Sequence, residues 1–180
     1  MKKSGTVCDE CFRQAKLKDG TQVAFRPLVR EDKERWLELV NSFSPQTAYF
    51  RFLAPVGVMT EEAFERYVDV DFVHAIAIVA AAKDTDGKER IIAVARYYAD
   101  EKNPSRAEFA IVVQDSWQKK GVGTELMRHL CKVAKGRGVK LFYALVFKEN
   151  KGMLTLLDKI GAKWDQRKFD ADTVRVEFLV

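Results

Sequence analysis

Long apolar stretches are missing from this chain. No run approaches the ~20 residues that a membrane-spanning helix needs, and Met-Lys-Lys-Ser-Gly at the amino terminus is not followed by the apolar segment of a signal peptide. A cytoplasmic protein is therefore expected. Cysteine is scarce, with three residues in 180. Cys8 and Cys11 form a CxxC, but a structural zinc site needs four ligands, and the other candidates, Cys131, His74 and His129, do not stand at zinc-finger spacing. No metal is expected. A thioredoxin-like motif would follow a strand and open a helix, whereas this pair lies in a polar amino-terminal stretch. The pair reads as incidental, with a redox-sensitive or metal-capturing tail as the alternative. Internal repeats and low-complexity tracts are lacking too. What remains, 47% hydrophobic and 32% charged residues in 180, is the composition of one soluble globular domain.

Charge is unevenly placed. The formal net charge is +5, and from Gln118 to Lys140 seven basic residues accompany a single acid, Glu125. Such a cluster suits phosphates, whether of a small cofactor or of nucleic acid. For Lys132, Lys135 and Lys140 the ordinary reading is a solvated helix face. No RRM, KH or helix-turn-helix signature accompanies the charge, which argues against nucleic acid.

Residues 1–20 are mixed and polar and read as a tail, closed by an Asp19-Gly20 turn. Val23, Phe25 and Leu28 then predict a first strand ending near Pro27. Three helices follow: EDKERWLELVNSF, with apolar residues at helical spacing; PQTAYFRFL, opened by Ser44 and Pro45; and EEAFERYVDV, opened by Thr60. HAIAIVAA, IIAVARYYA and AEFAIVV predict three consecutive strands, the first two joined through Asp86-Gly87, and hence an antiparallel meander. GTELMRHLCKVAK is an amphipathic helix ended by Gly136 and Gly138. LFYALVF lacks alternation, as in a strand covered on both faces. The helix KGMLTLLDKI stops at Gly161, and a final hairpin is built from AKWDQRKF and TVRVEFLV. The expected fold is a single α/β domain over 21–180, with a mixed, mostly antiparallel central sheet flanked by helices.

One segment raises a chemical question. In QDSWQKKGVGTELM, Gly121 and Gly123 stand where a helix begins, beside Lys119, Lys120 and the Thr124 hydroxyl. Unpaired amides and the positive dipole end make a glycine-rich helix start an anion site. The plainer reading is a tight strand-to-helix connection. A P-loop is excluded because GxxxxGK[ST] is absent, and a Rossmann turn because the third glycine and the later acid are missing.

Gln118-Lys-Lys-Gly121-Val-Gly123 resembles the Q/RxxGxG/A pyrophosphate-binding signature of the GNAT superfamily of N-acetyltransferases. EFAIVV resembles that superfamily's fourth strand, and LFYALVFKENKGMLTLLDKIGAKW its fifth strand with the following helix. SPQTAYFRF, AEFA and GAKW make the likeness greatest to the catalytic domain of bacterial protein lysine acetyltransferases of the Pat type. The resemblance implies acetyl-CoA as co-substrate and a protein lysine as acceptor, by analogy with Pat-type relatives on an acyl-CoA synthetase. A small amine or a protein amino terminus is the alternative acceptor, and a non-catalytic acyl-CoA sensor the alternative class.

Acetyl transfer from a thioester needs a neutral amine, and a free lysine of pKa ~10.4 is neutral in only about one molecule in two thousand at neutral pH, so a base is required. Glu108, an acid in an apolar strand before the glycine turn, is the candidate, with burial expected to raise its pKa. The resemblance implies the same residue. It also implies that Ile111, Val112 and Val113 bind the pantetheine arm, one of their amides meeting the oxyanion. Gln118, Lys119, Lys120, Gly121, Val122, Gly123 and Thr124 would hold the pyrophosphate, and Asn150 and Met153 would line the arm and thiol end. Many relatives carry a tyrosine four residues before the glycine that stops the last helix; Leu157 stands there, so no general acid is assigned. Tyr143 reads as core, and His74 and His129 as structural, the latter on the polar face of its helix. Tyr49 and Arg51 are candidates for shaping the acceptor side.

Overall fold

The computed structural model describes residues 8–53, 57 and 59–180. In chain order these form β1 (Arg13–Lys16), β2 (Gln22–Pro27), α1 (Lys33–Asn41), α2 (Pro45–Phe52), α3 (Glu61–Val68), β3 (Ala75–Lys83), β4 (Glu89–Ala99), β5 (Arg106–Val113), α4 (Val122–Gly136), β6 (Leu141–Phe147), α5 (Lys151–Lys159), β7 (Asp165–Lys168) and β8 (Thr173–Leu179). The strands join one sheet in the order β1-β2-β3-β4-β5-β6-β8-β7. Every neighbouring pair is antiparallel except β5 with β6.

Local chemistry sets the helix starts. Ser44 caps α2 by accepting the Thr47 N–H at 3.2 Å, with Pro45 in the first turn, and Thr60 caps α3 through the Ala63 N–H. Asn150 caps α5 by accepting the Met153 N–H at 3.0 Å. Two apolar layers then cover the sheet. On one face Leu126, Met127 and Leu130 of α4 and Leu157 of α5 pack with Phe25, Ile78, Tyr97, Phe109, Phe142 and Phe178. On the other, Trp36 and Leu39 of α1 and Phe64 of α3 pack on Ala77, Val79, Ile91, Val94 and Val112. Each large side chain so buried contributes about 1.5–3 kcal/mol. Asp32, 1% exposed, binds the Arg26 guanidinium at 2.6 and 2.8 Å and the Val29 N–H at 3.1 Å, tying β2 to the start of α1.

Three expectations change. β6 alternates: Phe142, Ala144 and Val146 are buried, while Leu141, Tyr143, Leu145 and Phe147 are half-buried. Helices α4 and α5 cover only the first set, and the second faces the more open side of the sheet. The polar amino-terminal stretch contains β1, which pairs along β2 from Arg13↔Phe25 to Lys16↔Gln22. Four residues with Ala15 as their one apolar side chain carry too little alternation to read as a strand.

Just before β1, Asp9–Cys11 forms a 3-10 turn, and Cys8 and Cys11 are buried and joined by a disulfide. This segment rests on α4 through Glu10 to Arg137 at 2.7 Å and Arg13 to Glu125 at 2.8 Å. His129 is therefore not on a polar face. It is 4% exposed, stacked on Phe25, with Nε2 2.9 Å from the Cys11 carbonyl oxygen. No helix among the described residues is long and apolar enough to cross a membrane.

Burial holds the His129 imidazole below its ordinary value of 6.5. The folded state therefore takes up this proton less readily than the unfolded chain, and stability falls as pH drops from 6.5 towards the lower folded pKa. Thermal unfolding midpoints measured between roughly pH 7.5 and pH 5 should fall less steeply for His129→Gln than for wild type.

Candidate active site

The sheet is interrupted at its centre. β5 and β6 pair only over Arg106↔Leu141, Ala107↔Phe142 and Glu108↔Tyr143, after which β6 continues alongside β8 and leaves β5. Gln114 donates its N–H to Ile92 O at 2.9 Å, towards β4. Amides alternate direction along a strand, so Val112 turns its own to β4, the Phe109 amide meets Tyr143 in the last step of the β6 pairing, and Ile111 and Val113 turn theirs into the gap. Strand groups without a neighbour at mid-sheet form a ready template for another extended chain or ligand. The gap is part of a cleft of about 770 Å3 that β5, the glycine turn, α2 and α5 enclose, within the size range of small-molecule sites.

At one end of the cleft lies the glycine turn. Lys119 has φ 62° and Gly121 φ 95°, so the chain reverses tightly before α4. Gly121 meets no crowding but needs the left-handed region. Gly123 answers a different constraint: a Cβ there would lie 3.3 Å from Val113 Cγ2 and 3.8 Å from Leu156 Cδ1. The N–H groups of Val122, Gly123 and Thr124 find no acceptor among the described residues, as expected of a helix start. Donors and dipole together suit an anion of the pyrophosphate type.

Most of the residues singled out from sequence meet here. Glu108, Ile111, Val112, Val113, Gln118, Lys119, Gly121, Gly123, Thr124, Asn150 and Met153 all line the cleft. The Val122 side chain is fully buried in the core, leaving only its amide for a ligand. Lys120 is not in the lining and holds its Nζ 4.8 Å from the centre of the Trp117 ring. The Gln118 amide binds Val113 O and Thr47 Oγ1, each at 3.2 Å, and so braces the turn. Asn150 uses its oxygen on the α5 cap, leaving its Nδ2 as donor.

Glu108 stands at the fork, the last β5 residue paired with β6. It is exposed in the cleft rather than buried as expected, because β6 departs directly after it. Tyr143, opposite it, is not core. Its hydroxyl donates to Asp100, its ring lies 4.1 Å from the Arg175 guanidinium carbon and 5.6 Å from that of Arg106, and desolvation with the Asp100 contact pushes its pKa up to about 12. Its proton is thus already committed to a carboxylate. Leu157 is fully buried and offers no donor.

Helix α2 roofs the gap. Tyr49 stacks on Phe147 with centroids 4.6 Å apart, and Phe50 meets the same ring at 5.9 Å. Its amino-terminal end is fastened by Asp115, which accepts from Ser44 N at 3.0 Å, Ser44 Oγ at 2.7 Å and Thr47 Oγ1 at 2.8 Å. Asp115 was missed from sequence, since its partners lie 68 and 71 residues away. The Ser44-Pro45 cap was the only local signal. Among the described residues no three His, Cys, Asp or Glu side chains are grouped to hold a metal.

Comparison with known proteins agrees with this geometry. Residues 34–162 match the model of the acetyltransferase (GNAT) family. An acetyltransferase of Pseudomonas aeruginosa is 33% identical over 145 residues, 81% of this chain and 77% of that protein. The acetyltransferase Pat of Mycolicibacterium smegmatis is 33% identical over 82% of this chain, which spans 43% of that protein. The crystal structure of the GNAT domain of S. lividans Pat superposes with a TM-score of 0.84 at 28% identity, covering 96% of this chain and 98% of that one.

The Asp115 junction can be tested directly. Asp115→Ala removes three acceptor contacts and should cost roughly 1–2 kcal/mol in denaturant unfolding. Amide exchange in residues 45–52 should speed up about tenfold while that of α4 stays unchanged.

Proposed function

The chain belongs to the GNAT acetyltransferase family, and from that premise we propose that it transfers the acetyl group of acetyl-CoA directly to the ε-amine of a protein lysine, with Glu108 as general base. One observation carries the assignment: Glu108 is the carboxylate at the fork of β5 and β6, where the free amides of the gap begin. Support for a protein lysine comes from the resemblance to Pat-type enzymes, and an acyl-CoA synthetase is the proposed partner class on the same ground.

The residues present fit such a co-substrate. The amides of Val122, Gly123 and Thr124, with Lys119 beside them, suit a pyrophosphate at the α4 start. An extended pantetheine arm would complete the ladder that β6 leaves open, against Ile111 and Val113, with Val112, Met153 and the Asn150 Nδ2 completing the wall. Lys120 and Gln118 act from behind the turn, one as a nearby cation and one as its brace.

The chemistry then follows from protonation. Glu108 takes a proton from the acceptor ammonium and frees its lone pair. A C–N bond forms as the C–S bond breaks, the second proton of the nitrogen passes to water, and an amide facing the gap, from Ile111 or Val113, stabilises the charge developing on the carbonyl oxygen. The departing thiolate takes its proton from water, since Tyr143 is held by Asp100 and Leu157 has none to give.

Thiol release with acetyl-CoA and lysine peptides tests this reading. Glu108→Gln should lower kcat by about 100-fold to 10,000-fold with coenzyme A binding intact. Gly123→Val should lose that binding, because its side chain meets Val113. Wild-type kcat in Glu108→Gln, or labelling of metabolites rather than proteins in a lysate given labelled acetyl-CoA, would refute the base or the acceptor respectively.

A further inference from the structure

Among the described residues, two arginines near the reacting end of the cleft make no direct ion pair. Arg51, in the last turn of α2, lines the cleft half-buried, its guanidinium carbon 5.2 Å from the Phe52 ring centre and 5.9 Å from that of Tyr67. Among the described residues it makes no hydrogen bond or ion pair. Arg96 of β4, 2% exposed, stands 4.8 Å from the same Tyr67 ring. It donates to Tyr67 O at 3.1 Å and to the Tyr98 hydroxyl at 2.8 Å, both neutral, and its Nε is buried without an acceptor.

Two cations around one ring face a single carboxylate, Glu108, which acts on Arg51 through space without a direct contact, so this wall keeps an excess of positive charge. Desolvation, with Arg96 adding to it, holds the Arg51 guanidinium down to about 10 even against the opposing pull of Tyr67, Tyr98 and Glu108. The pyrophosphate of a bound co-substrate is not the missing anion. Ser44 of the α2 cap is tied to Asp115 at the glycine turn, whereas Arg51 lies seven residues on, about 10 Å along the helix at ~1.5 Å per residue. Arg51 is thus on the side of the cleft lined by Glu108 and Tyr67, the side to which Glu108 as general base would bring the acceptor. A guanidinium exposed on one side suits a carboxylate, which it binds through paired donors.

We propose that Arg51, backed by Arg96, is an acceptor-side anion site that takes a carboxylate flanking the lysine to be acetylated. The proposal rests on the lysine acetyltransferase reading above and narrows its substrates to lysines in acidic surroundings.

The test compares otherwise identical lysine peptides flanked by Glu or by Gln. Wild type should favour the Glu peptide about tenfold in kcat/KM, mainly through KM. Arg51→Gln should abolish the preference and Arg51→Lys retain part of it. No preference in wild type, or the same preference in Arg51→Gln, overturns the proposal. So does an Arg51→Gln shift of the pH profile that is equal for both peptides, since Arg51 would then be acting on Glu108. If Arg51→Gln fails to fold, the wild-type and Arg51→Lys comparisons decide. Calorimetric binding of the same peptides to the protein loaded with coenzyme A needs no turnover. Preferential binding of the Glu peptide without thiol release would sink the transferase reading and leave the anion site standing. Inert peptides, with free lysine preferred to cadaverine, would sink only the protein acceptor, because the α-carboxylate would then be the bound group.

Discussion

The parting of β5 and β6 after Glu108 and Tyr143 is the constraint on which the other features depend. A central sheet ordinarily spends all its backbone donors and acceptors on neighbouring strands. Here β6 follows β8 and leaves Ile111 and Val113 facing a gap. That gap explains why Glu108 is exposed in the middle of an apolar sheet, and why a cleft exists between elements that are otherwise closely packed. It also explains why one face of β6 stays half-buried, since a helix packed squarely on it would close the opening.

Around the gap the chain arranges its polar groups by sign. The amides of the α4 start and Lys119 make one end positive, while the fork carries Glu108. Asp115 couples the two regions mechanically, because one carboxylate fastens the beginning of the α2 roof to the loop that forms the glycine turn. The amino-terminal segment braces the same machinery from outside. Through Cys11, Glu10 and Arg13 it holds α4 by His129, Arg137 and Glu125, so the helix that presents its amides to the cleft is fixed along its length.

Much of this was legible in advance because it rests on local chemistry. Ser44-Pro45, Thr60 and Asn150 announce helix starts wherever they occur, and the apolar spacing of Leu126, Met127 and Leu130 marks the face of α4 that is buried. The QKKGVG segment could be read as a ligand turn because glycine, lysine and a helix start have a local meaning. β1 could not, having one apolar residue in four, and His129 was placed on a polar face because the segment that covers it lies more than a hundred residues away. Asp115, Arg96 and Phe147 went unnoticed for the same reason: each matters through a partner that sequence distance conceals.

By itself, the sequence determined the order of the elements from β2 onward, the sheet's antiparallel meander, the glycine turn and the carboxylate before it, because capping, periodicity and turn chemistry act over a few residues. Only the tertiary structure decided the rest. It set where β5 and β6 part, whether Glu108 is buried or open, what the Tyr143 hydroxyl is bound to, and that Arg51 lines the cleft with the buried Arg96 behind it and, among the described residues, no direct ion pair. These depend on which strands become neighbours and which helix covers them, and burial and charge balance are properties of that assembly rather than of any segment.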